Sequence, residues 1–166
     1  MIKKDFNAGW LFSRRGEESS AKLVDLPHDA MIHEPRSKDS APSGASGYFR
    51  EGCYDYVKTF TAPEEWKDES VILELEAVYM NSSVYLNGTL LAERPYGYTN
   101  YFVDLTDALR YGEENELKVV ADNSKAPNSR WYSGAGIFRP VSLHIGNRAH
   151  IVPDSIYVVA GMDGNA

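Results

Sequence analysis

Short runs in which apolar and polar residues alternate one for one recur along this chain, and they predict β-strands with one buried and one wet face. In residues 71–77, Leu73, Leu75 and Ala77 fall on one side, and Glu74 and Glu76 on the other. Residues 115–122 repeat the pattern through Leu117, Val119 and Ala121. Residues 141–145 do so through Val141, Leu143 and Ile145, with Ser142 and His144 outward. Sheets with a single buried face pack in pairs, so the expected fold is all-β, an antiparallel β-sandwich.

Turn signals separate these runs. Asn87-Gly88, inside Val84-Tyr85-Leu86-Asn87-Gly88-Thr89-Leu90-Leu91, supplies the two positive-φ positions of a type I′ turn and predicts a tight hairpin. Residues 104–112 predict one short helical turn, capped by Asp104 or Thr106 and ended by Gly112. No longer helical periodicity occurs. In the less regular N-terminal third, residues 7–12 and 21–27 read as edge strands. Residues 32–47, rich in Ser, Pro, Gly and charge, read as one long loop, a length that in compact domains goes with function or disorder. Beyond Gly146 the pattern changes. Residues 1–147 are expected to form one domain. Residues 148–166 are expected to be a linker and the start of a further domain that the chain does not complete, with one strand at 151–159 that could instead pair back as an edge.

Composition narrows the function classes. A chain of 166 residues fits one domain, which buries roughly 68–70% of its unfolded surface. The net charge of −7 and the lack of a basic stripe argue against nucleic acid as a partner. No apolar run approaches the ~20 residues of a membrane helix, and no apolar stretch follows the basic Lys3-Lys4, so a cytoplasmic location without membrane contact is expected. On that ground the sequons at Asn81 and Asn87 are taken as chance. Cys53 is the single cysteine, so no internal disulfide is possible, and with no Lys or His beside it, it is expected to pack. His28, His33, His144 and His150 lack metal-ligand spacing, and the Gly-rich residues 43–47 precede a strand instead of a helix, so no metal, phosphate loop or cofactor is expected. Glu17-Glu18 and Glu64-Glu65 are adjacent pairs, read as solvated and not catalytic.

The densest chemistry lies in Asn128-Ser129-Arg130-Trp131-Tyr132-Ser133-Gly134-Ala135-Gly136-Ile137-Phe138-Arg139-Pro140-Val141-Ser142-Leu143. Glycines at this density let backbone approach something closely or adopt positive φ. The aromatics beside them offer apolar faces with polar tips, which suit sugars. Asn128, Ser129, Arg130, Trp131 and Tyr132 are therefore the candidate substrate-binding residues. Arg130 has three roles open to it: donating to sugar hydroxyls, pairing with a carboxylate of another domain, or bridging to a local acid. Trp131 and Tyr132 either stack on a sugar or hold the loop as core aromatics. His28 and Asp29, which follow Pro27, are expected to pin a loop, and Arg139 to support it by pairing with an internal acid such as Asp104 or Asp122.

This run resembles a signature of the N-terminal sugar-binding domain of glycoside hydrolase family 2, the family of β-galactosidases, β-glucuronidases and β-mannosidases. The resemblance extends in order through Asn7-Ala8-Gly9-Trp10-Leu11-Phe12, Leu26-Pro27-His28-Asp29, Gly47-Tyr48-Phe49, Tyr56-Val57-Lys58-Thr59-Phe60, Ser83-Val84-Tyr85-Leu86-Asn87-Gly88, Tyr101-Phe102-Val103-Asp104-Leu105-Thr106 and residues 115–123. Two positions depart from the pattern. Ala30 replaces a Trp, and Arg130 stands where some relatives carry an Asp that reaches sugar hydroxyls. The resemblance implies a jelly-roll sandwich, like galactose-binding domains, set against an immunoglobulin-like domain and a TIM barrel. It implies a β-galactoside-like carbohydrate as substrate, with this domain forming one wall of the pocket, and a parent enzyme that is a homo-oligomer. The two glutamates of a retaining mechanism, with carboxyls ~5–5.5 Å apart, would lie in the barrel. None can be placed in this chain, which alone is expected to be inactive. A free-standing carbohydrate-binding module and an assembly domain without sugar contact are the competing readings.

Overall fold

The computed structural model of the chain describes residues 1–40, 43–125 and 133–161. Ten strands lie among them: β1 (Ile2–Asp5), β2 (Trp10–Arg14), β3 (Lys22–Val24), β4 (Gly52–Thr61), β5 (Glu69–Leu75), β6 (Ser82–Leu86), β7 (Thr89–Arg94), β8 (Tyr101–Asp104), β9 (Glu114–Asn123) and β10 (Val141–Asn147). They form two sheets, ordered β1-β10-β5-β8 and β3-β2-β4-β9-β6-β7, with every strand pairing antiparallel. This is the all-β antiparallel sandwich expected from the alternating pattern.

The inward sets of each strand make the core. Val71, Leu73 and Leu75 of β5 meet Val141, Leu143 and Ile145 of β10 from one sheet, and Leu117, Val119 and Ala121 of β9 come from the other, all buried. Trp10 is fully buried beneath them, its indole N–H donating to the Phe6 carbonyl at 2.9 Å, so the one polar atom of the ring is satisfied.

The hairpin between β6 and β7 turns on Asn87 and Gly88, with φ of 50° and 81°, as a type I′ turn requires. Asn87 also ties the turn to β9, accepting from the Glu116 N–H through Oδ1 at 3.0 Å. At residues 105–109 the chain makes one helical turn, closed by Leu109 N–H on Leu105 O at 3.0 Å. Asp104 is its cap, accepting from Thr106 N–H at 2.9 Å, while Thr106 is buried against Val71. Short 3₁₀ turns at Glu18–Ser20, Met31–His33, Ser43–Ser46 and Glu64–Trp66 leave too few residues for any periodicity to show.

Several expectations need correction. Strand β2 is not an edge strand: it sits between β3 and β4, and β3 is the edge. Strand β1, whose Lys3-Lys4-Asp5 carries no apolar alternation, pairs with β10 all the same. Glu74, on the outward side of β5, is not wet. It is 8% exposed, with Lys3 Nζ and His144 Nε2 each 2.8 Å from its carboxylate. Burial alone would raise its pKa, but the Lys3 and His144 contacts outweigh that and hold it below the usual value. Residues 151–159 form no strand, and Ile151, Ile156, Tyr157, Val158 and Val159 stand exposed.

Candidate functional site

The second half of the glycine-rich run crosses from one sheet to the other, and three segments hold it. The backbone N–H groups of His28 and Ala30 donate to the carbonyls of Ile137 and Ala135, each at 2.8 Å. From the other side Tyr79 and Gly136 exchange N–H···O bonds at 2.9 and 2.8 Å. Residues 135–137 therefore have partners on both flanks, and the backbone polar groups of this irregular stretch are satisfied.

Such close approach explains the two glycines. Gly136 has φ +102°, and a Cβ there would collide with the Tyr56 hydroxyl and lie 3.1 Å from His28 O. Gly134 has φ +72°, and its Cβ would stand 2.6 Å from Asp29 Oδ2. Asp29 binds the segment directly, its Oδ1 accepting from Met31 N–H at 2.9 Å and from Ala135 N–H at 3.1 Å. Asn123, the last residue of β9, donates from Nδ2 to Gly134 O at 3.1 Å. The end of β9 is thus fastened to the backbone at Gly134.

Beneath this clamp His28 Nδ1 and the Tyr56 hydroxyl share a hydrogen bond of 2.9 Å. The His28 ring stacks on His33 at 5.3 Å and meets Phe12 at 4.6 Å in a tilted contact. Burial, with the nearby His33 and Lys22 charges, pulls its pKa down to about 4. Burial pushes Tyr56 far up. Burial thus favours the neutral form of both groups at pH 7.

Beside the clamp lies an aromatic group that the sequence patterns did not single out. Tyr98 packs against Tyr79 at 5.1 Å, Tyr96 at 5.8 Å and Phe138 at 6.1 Å. Tyr79 is buried, whereas Tyr96 and Tyr98 are 58% and 52% exposed. The legible signal was Gly97 between two tyrosines: a Cβ on it would stand 2.6 Å from the Tyr79 ring, so glycine lets this segment lie close against that ring.

Of the residues singled out in the sequence, Asn128, Ser129, Arg130, Trp131 and Tyr132 lie outside the described residues. His28 and Asp29 are together at the clamp. Among the described residues no ion pair joins Arg139 to Asp104, which caps the helical turn, or to Asp122, which accepts from Ser124 N–H. Arg139 is exposed, at the edge of a cleft that it shares with Glu74, Glu76, Tyr98, Thr99 and Asn100.

Residues 14–142 match the family model described as the glycosyl hydrolase 2 galactose-binding domain-like domain. A β-galactosidase of Bacteroides ovatus is 37% identical over 165 residues, covering 94% of this chain and 19% of that protein. The crystal structure of a β-glycosidase from Bacteroides vulgatus superposes with a TM-score of 0.81 at 36% identity, over 89% of this chain and 20% of the other. A glycosyl hydrolase family 2 member from Bacteroides cellulosilyticus gives a TM-score of 0.82 at 31% identity, over 89% and 21%. Relatives named β-glucuronidase match as well. The chain spans about a fifth of the length of these relatives. With the family model matching residues 14–142, most of the chain and the whole of the clamp, the chain belongs to the galactose-binding-like N-terminal domains of glycoside hydrolase family 2.

Proposed function

We propose that this domain forms one wall of a sugar-binding pocket in a family 2 glycoside hydrolase acting on a β-galactoside-like substrate, and that the loop carrying Asn128, Ser129, Arg130, Trp131 and Tyr132 is the part that faces the sugar. The observation that carries this reading is the anchoring of both ends of that loop. Asn123 and Asp29 grip the backbone at Gly134 and Ala135, on a support of buried, neutral His28 and Tyr56. A binding loop is effective when a rigid scaffold sets its ends, because less freedom is then lost on binding. Hydrolysis itself belongs to carboxylates outside this chain. The exposed apolar residues Ile156, Tyr157, Val158 and Val159 support packing of the 148–166 segment against a further domain. The test is to replace residues 128–132 with glycine and serine in the complete enzyme. The expected result is a loss of kcat/KM with the thermal melt unchanged; an unchanged kcat/KM would refute the reading.

A further inference from the structure

Glu74, Glu76, Tyr98, Thr99, Asn100 and Arg139 line a cleft of about 370 Å³ beside the clamp, within the ~300–1,000 Å³ range of small-molecule sites. One wall is the half-exposed Tyr98 ring, which Tyr79 and Phe138 hold in place from behind. The floor carries Glu74, already bound by Lys3 and His144, and Lys3 also reaches to 3.6 Å from Glu76. Arg139 stands exposed at the rim without an ion pair among the described residues. The Asn100 side chain is oriented by donating from Nδ2 to Asp154 at 2.9 Å, which keeps its Oδ1 as an acceptor.

Three features define what fits. An aromatic plate favours a ring that presents an apolar C–H face and carries its polar groups around the edge. Asn100 Oδ1, the Glu76 carboxylate and the Arg139 guanidinium supply donors and acceptors side by side, as hydroxyl groups require, and the Thr99 hydroxyl, which accepts from Arg94 at 3.1 Å, keeps its proton to donate. The charges are balanced: an anion would meet Glu74 and Glu76, and a cation would meet Lys3 and Arg139. We propose that this cleft is a second carbohydrate subsite that takes one neutral sugar residue. It contains none of the residues assigned to the substrate-facing loop, so this proposal and the proposed function fail separately.

The experiment is an amide NMR titration of the chain with lactose and, in a parallel arm, with sodium glucuronate. Lactose should shift the amides of Tyr98, Thr99, Asn100 and Arg139 saturably, with an affinity on the order of millimolar. Tyr98→Ala and Arg139→Ala should each weaken it by about fivefold or more. Arg139 is exposed, so its variant keeps the fold and carries the test if Tyr98→Ala does not fold. No shift at these amides, shifts that survive both substitutions, or tighter binding of glucuronate than of lactose would overturn the proposal. Shifts confined to the loop after Asn123 would overturn it as well, while leaving the proposed function standing.

Discussion

Asp29 and Gly134 are fitted to each other so closely that a methyl group on Gly134 would stand 2.6 Å from Asp29 Oδ2. Two residues on, Gly136 is placed against the Tyr56 hydroxyl in the same way. These contacts set where the glycine-rich segment crosses the sandwich.

Gly136→Ala should therefore be among the most damaging single substitutions in the domain. It combines a positive φ with a collision against Tyr56 and the His28 backbone, and should lower stability by about 3 kcal/mol or more. Gly88→Ala is the comparison, because its φ of +81° is also in the range that disfavours side chains but no atom lies within 4 Å of the added methyl. Its cost should be about 1–2 kcal/mol. Urea melts of both variants check this, and equal costs would mean that the close approach at Gly136 contributes nothing.

His28 should make the domain acid-sensitive. Its pKa falls from 6.5 to about 4 in the fold, so as the pH drops the unfolded chain takes up a proton before the folded one does. The stability due to neutral His28 is fully present above about pH 6.5, erodes between 6.5 and 4, and is gone below about 4. The loss should be on the order of 2–3 kcal/mol. Stability measured against pH, compared with His28→Gln, should show a slope in this window that the variant lacks.

The Glu74 carboxylate should depend on Lys3. In Lys3→Met, the burial that raises its pKa loses the main opposing contact, so the Glu74 pKa should move up. Because Lys3 is half exposed, the stability cost should be modest, about 1 kcal/mol. Carboxyl carbon shifts of Glu74 followed against pH would show the change.

Features that depend on a residue and its near neighbours were legible in the sequence. Asn87-Gly88 needs only its own backbone preference to make a hairpin. The inward sets of β5, β9 and β10 show because every second residue is apolar, and Gly134 and Gly136 signalled close approach. Features that depend on distant partners were not. Glu74 reads as wet until Lys3, from a strand about 70 positions away in sequence, is laid over it. Strand β1 has no apolar pattern of its own and exists because β10 offers it an edge. The Tyr79, Tyr98 and Phe138 cluster joins three separate segments, and Arg139 turns to a cleft instead of to the acids nearest in pattern.

The most direct test of the substrate-facing loop is Arg130→Ala in the complete enzyme, with kcat and KM measured alongside a thermal melt. Contacts from the guanidinium to sugar hydroxyls are worth about 1–3 kcal/mol, so kcat/KM should fall roughly 5- to 150-fold while the melting temperature stays unchanged. If the contacts tighten in the transition state, the loss will fall on kcat as well as on KM. Unchanged kcat/KM with a lowered melting temperature would show that Arg130 holds the loop and touches no sugar, and would contradict the assignment.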